Sequence, residues 1–218
     1  MRFMNWLNKL ERKFGRYFIP RLMYLLSAVM AVIYVVDLLI PGLQLRQLMS
    51  LDMARVAQGE IWRLISFVIV PPYDSPVLVL ISLYFYCLIG NGLENEWGGF
   101  KFNVYYLFGI VGAILAGLVT GYGTNAYINL SLFLAFAAIF PDFQILLFFF
   151  IPIKIKYLAL LDLALYIFTF IIGSWPQRVA ILMSLLNLLI FFGGGFIRYI
   201  KQQSGYWKTR REFRKYNR

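Results

Sequence analysis

Ile89-Gly-Asn-Gly-Leu-Glu-Asn-Glu-Trp-Gly98 is the stretch on which the reading of the fold turns. It stands where a long apolar run, Val77 to Leu93, gives way to charge, so it marks the point where a helix meets the membrane surface. Gly90 and Gly92 let backbones approach closely, Glu94 and Glu96 bring charge, and Trp97 suits the headgroup layer. Gly98-Gly99 makes the turn into the next apolar run.

The composition sets the class. A chain of 218 residues that is 61% hydrophobic and 14% charged departs from soluble domains, in which about 25% of residues are charged. Several apolar runs reach the ~20 residues a helix needs to cross hydrocarbon. The expectation is an all-α, polytopic membrane protein built as one domain. The single cysteine, Cys87, excludes an internal disulfide and reads as a small core residue. The absence of histidine removes the commonest general base and metal ligand. No metal or cofactor is expected. The net charge of +11 lies at the two ends beside apolar runs, which points to anionic lipid and away from nucleic acid.

Working outward, the third span covers about 102–120 and offers Gly109, Gly112, Ala113 and Gly117 for close helix packing. After the turn Gly121–Asn125, the fourth span, about 126–140, is ~22 Å long at ~1.5 Å per residue. That is less than the ~30 Å of hydrocarbon, so this short span belongs in the middle of the bundle or beside water. Residues 143–156, broken by Pro152, read as a packed interfacial connection. The fifth span, about 157–173, contains Asp162, and the sixth, about 179–197, contains Asn187 and Gly193-Gly194-Gly195.

Upstream, a first span over about 22–40 ends at Pro41-Gly42, with Asp37 near its outer boundary. Residues 42–76 form a long loop with structure of its own, in which Leu43, Leu45, Leu48, Met49, Leu51, Met53 and Val56 form the buried side. The loop includes Trp62-Arg63, with Trp62 settling among headgroups and Arg63 fixing loop backbone. Residues 1–20 predict a basic amphipathic helix on an anionic membrane face, and 198–218 a basic tail at the same surface. The membrane domain is 21–197. With six spans and both termini in the cytoplasm, 17 of the 21 Lys and Arg lie inside; Arg46, Arg55, Arg63 and Arg178 lie outside. That split obeys the positive-inside rule and places the long first loop outside, as in a bacterial inner membrane.

The spacing Gly90-x-x-x-Glu94-x-x-Trp97-Gly98, the pair Trp62-Arg63 and the order of six spans after a large loop resemble the rhomboid family of intramembrane serine proteases and their relatives. Phe140-Pro141-Asp142 followed by residues 150–156 is similar to the passage from the fourth to the fifth span in bacterial rhomboid-like proteins. The likeness runs from Trp62 to about Gly195. It implies a six-helix rhomboid-like bundle with a lateral opening between the second and fifth spans.

The family's catalytic pattern is missing. Its nucleophile lies in Gly-x-Ser-Gly, whereas the nearest string here is Asn129-Leu130-Ser131-Leu132. Its histidine base would fall near Val179-Ala180-Ile181, and its oxyanion-assisting groups near Leu78 and Ser82. A serine without a base is a poor nucleophile. The resemblance therefore implies an inactive relative, a derlin-like pseudoprotease in membrane-protein quality control. Such a protein binds transmembrane segments of clients without cutting them. Candidate binding residues are Asn129, Ser131, Asp162 and Asn187, polar groups facing the bundle. Two other readings are a protease with displaced groups acting through Ser131, and a transporter or lipid scramblase working through the short fourth span.

Overall fold

A computed structural model of the chain describes residues 5–147 and 151–191. The basic tail from Arg198, the Gly193–Gly195 run and the first residues of the amphipathic segment lie outside them. The N-terminal helix α1 (Asn5–Phe14) inserts Leu7 into the core, while Leu10 and Phe14 stay partly exposed. Glu11, one turn on from Leu7, pairs with Lys101 at 3.0 Å.

Helix α2 (Leu22–Leu39) follows Arg21, whose backbone is left-handed at φ 52°. The Arg21 N–H donates to Glu94 Oε1 at 2.8 Å, so a side chain of the motif holds the start of the first span. Replacing Glu94 with alanine removes that acceptor and is expected to cost about 1 kcal/mol, read as earlier thermal melting in detergent. An unchanged melt rules out the brace.

The first loop is ordered from within. It contains the short helices α3 (Leu45–Met49), α4 (Met53–Ala57) and α5 (Arg63–Ser66), with strand β1 (Leu51–Asp52) between α3 and α4. Asp37 accepts from Arg46 Nε at 2.9 Å and from the Leu45 N–H at 2.7 Å, which gives this acid the boundary role its position implies. Arg63 is fully buried. Its Nη1 donates to the Gln47 and Ser50 carbonyls at 2.7 and 2.8 Å, and its Nε to Glu60 at 2.5 Å. Leu43 and Leu48 are exposed, contrary to the expected buried side, because the helices that hold them, the 3-10 turn Pro41–Leu43 and α3, are each too short to present a buried face. Leu51 is the residue that inserts.

Helix α6 (Pro76–Trp97) starts with Pro76 in its first turn, where no N–H is lost, and stops at Gly98 with φ +85°, a conformation that favours glycine. A Cβ on Gly90 would sit 2.1 Å from Met23 Cγ, so this glycine sets the approach of α2 to α6. Trp97 is buried against Tyr105, with ring centroids 5.2 Å apart; it is a core residue and not a headgroup anchor. Cys87 is half-buried in a groove with Tyr24 and Tyr84 rather than in the core.

Helix α7 (Gly99–Thr120) leads into strand β2 (Tyr122–Gly123), which pairs antiparallel with β1, Leu51 opposite Gly123. Helix α8 (Ala126–Ile139) is as short as expected and is the most enclosed; eight of its 14 residues are buried. Residues 143–156 are not a simple packed connection. Strands β3 (Gln144–Leu147) and β4 (Ile151–Lys154) form an antiparallel hairpin, Gln144 opposite Lys154. The described chain is mainly helical, compatible with an all-α membrane protein, with two short strand pairs beside the helices.

Lys154 and then Lys156, each 3.0 Å from Asp142, hold its carboxyl below the usual carboxylate range. This contribution is present above the ordinary carboxylate pKa and is lost as pH falls through the lowered value. The melting difference between wild type and Asp142→Asn should therefore be small but measurable at pH 7 and vanish in acid. A difference that persists in acid removes the ionic explanation.

Helices α9 (Ile155–Ile172) and α10 (Trp175–Phe191) complete the described residues. Among the described residues four helices, α2, α6, α7 and α9, are long and apolar enough to cross a membrane; α8 and α10, as described, are shorter apolar helices. Helix α9 buries only Ile155 and Ala159, and leaves Leu160, Leu161, Leu165, Phe168 and Ile171 outside. Such a continuous apolar surface is compatible with lipid and not with water.

The basic residues sort between the two ends of the bundle. The end holding α1, the α6–α7 turn and the hairpin carries Lys9, Arg12, Lys13, Lys101, Lys154 and Lys156. The opposite end, with the first loop, β2 and the α9–α10 turn, carries Arg46, Arg55, Arg63 and Arg178.

Candidate functional site

The short α8 separates two cavities, and the four polar residues named from the sequence divide between them. Positions two apart on a helix point about 200° away from each other. Asn129 and Ser131 therefore face opposite sides of α8.

Ser131 lies beside a small cavity of about 190 Å³ between α7, α8 and α10. Its hydroxyl donates to the Ile128 carbonyl at 2.8 Å, and Asn187 Nδ2 donates back to it at 3.4 Å. The Tyr105 hydroxyl donates to the Ser131 carbonyl at 3.0 Å, and Ser184 Oγ to the Tyr127 carbonyl at 2.7 Å. Gly109 makes this packing possible, since a Cβ there would lie 2.9 Å from Ile128 and 3.3 Å from Asn187. The arrangement is a hydrogen-bonded seam joining three helices. The lone pair of an amide nitrogen is delocalised into its carbonyl and takes no proton near neutral pH, so Asn187 gives Ser131 a donor and not a base.

Asn129 and Asp162 share the other side. They line a cleft of about 860 Å³ whose floor is α8 and whose sides are α6 and α9. Phe85, Ile89, Phe133, Leu158 and Leu161 supply apolar wall, while Tyr73, Tyr86 and Tyr166 add hydroxyls. Asn129 is 8% exposed, and neither of its amide atoms makes a hydrogen bond of ordinary geometry, although the Tyr86 hydroxyl is its neighbour. Asp162 is half-buried, with Tyr166 one turn further along α9. Among the described residues no Lys or Arg forms an ion pair with it.

Asn125, a polar group at the opening of α8 that needs partners, closes the end of this cleft. Its Nδ2 donates to the Val68 and Val70 carbonyls at 3.0 and 2.9 Å and ties the entry of α8 to the segment leading into α6. The three tyrosines of the cleft were missed for a plain reason: 15 tyrosines are spread along this chain, and their spacing does not distinguish those that meet. The motif residues Trp62, Arg63, Gly90, Glu94, Trp97 and Gly98 lie away from both cavities and hold the frame. Trp62 is half-exposed. Compared with known proteins, the chain matches no family model and no curated sequence.

Proposed function

We propose that this chain holds transmembrane segments of other membrane proteins in the cleft between α6 and α9 and does not cut them. The observation that carries the reading is that Asn129 and Asp162 both line a mainly apolar cleft beside a helix that is scarcely buried. A helix ~10 Å across fits such a space for roughly two turns, and a polar group on it gains partners worth ~1 kcal/mol each. The likeness to inactive rhomboid relatives, carried by Gly90, Glu94, Trp97, Gly98, Trp62 and Arg63, supports the same reading. The protein would sit in a bacterial inner membrane with its basic end toward the cytoplasm and anionic lipid.

Ser131 is the residue an alternative protease reading needs. It is 1% exposed and bound within its own helix, which favours a role in packing. Photo-crosslinking in native membranes from an unnatural residue at position 129 or 162 tests the proposal. Adducts with other membrane proteins support it, and no adduct from either position counts against it. Labelling by a fluorophosphonate probe, lost in Ser131→Ala, would establish the protease instead. Flux across protein-loaded liposomes would favour a transporter or scramblase.

A further inference from the structure

Asp162 lies seven residues into α9, about 10 Å along the helix axis and near the middle of its 18 residues. An acid at this height is costly unless paired or wet. It faces a cleft with no Lys or Arg among its described lining residues, and Asn129, more than nine-tenths buried beside the Tyr86 hydroxyl, has no hydrogen bond of ordinary geometry in the same space. These two observations specify a complement. A carboxylate offers a charge and acceptor lone pairs, and the Asn129 carbonyl offers a further acceptor.

We infer that the cleft selects membrane-spanning helices carrying a lysine or arginine near mid-bilayer. The inference rests on the client-binding reading above and names its specificity. Depth decides the source of the cation. Lipid amines lie at the headgroup level, so a cation reaching Asp162 is carried there by a chain that crosses the membrane. The ammonium or guanidinium donates to Asp162 and Asn129, and the apolar remainder of the helix lies against Phe85, Phe133 and Leu158. A client with only aliphatic residues at that height leaves both polar groups as they are and gains nothing from them.

The test uses the full chain in phosphatidylcholine–phosphatidylglycerol liposomes, with a benzophenone amino acid at Leu161, an exposed position on the cleft rim. Two synthetic spanning peptides are compared, identical except for a central Lys or Leu. The Lys peptide should crosslink roughly tenfold more, a preference that falls to parity in Asp162→Asn and survives in Asp162→Glu. Equal crosslinking of both peptides in the wild type overturns the charge selectivity and leaves client binding standing. No crosslinking of either peptide overturns both. A preference unchanged in Asp162→Asn assigns the selectivity elsewhere and sinks the inference. Because Asp162 makes no ion pair among the described residues and α9 is scarcely buried, these substitutions leave the frame intact.

Discussion

Arg63→Ala is expected to lower stability by about 3–5 kcal/mol, the largest single effect in the chain. The guanidinium is fully buried and joins three parts of the first loop: the Gln47 and Ser50 carbonyls through Nη1, and Glu60 through Nε. Alanine leaves those carbonyls without a donor and Glu60 without its cation. Lysine should recover only part of the loss, since one ammonium cannot reproduce the planar fork. Glu60→Ala should cost less than Arg63→Ala, because Arg63 keeps its bonds to the Gln47 and Ser50 carbonyls. Thermal melting in detergent reads all three. Equal melting of wild type and Arg63→Ala would show that the loop does not depend on this side chain.

Leu51→Ala is the second large effect, at about 3 kcal/mol for a fully buried leucine. Leu51 inserts between Gly117 and Gly123, where an added Cβ would lie 3.2 and 2.3 Å from its Cδ2. The side chain therefore anchors β1 to β2, and with it the first loop to the end of α7. Truncation should make that loop susceptible to protease added from its own side, as well as lowering the melting temperature. Gly123→Val should have the same result by pushing Leu51 out. Destabilisation with unchanged cleavage of the loop would mean that Leu51 fills space without anchoring anything.

Much of the frame was legible because membrane helices declare themselves by length and composition. The bounds of α8 and the end of α6 follow from Pro141-Asp142 and Gly98-Gly99, residues that stop helices for local reasons. Arg63 was readable as a loop-fixing residue because few side chains can donate to several carbonyls at once. What failed needed knowledge of neighbours. Trp97 looks like a headgroup residue until Tyr105 is found against it, across a turn that sequence does not orient. The hairpin Gln144–Leu147 with Ile151–Lys154 was hidden because its strands are almost uniformly apolar and show no alternation. In the candidate site the sequence held more than was taken from it. The two-residue spacing of Asn129 and Ser131 already places them on opposite faces of α8, so one site containing both was excluded by helical geometry alone. Which of them meets Asp162, and which meets Asn187, required the packing.

The pairing of β1 with β2 bears on how the protein is made. Leu51 and its partner Gly123 lie 72 residues apart in the chain, and synthesis at about 5–20 residues per second separates their emergence by roughly 4–14 s. Throughout that interval the first loop has no groove to enter, because the glycines that receive Leu51 have not yet left the ribosome. The first loop is therefore secured only after the third long helix has been made, and biogenesis passes through a state in which an apolar side chain waits uncovered.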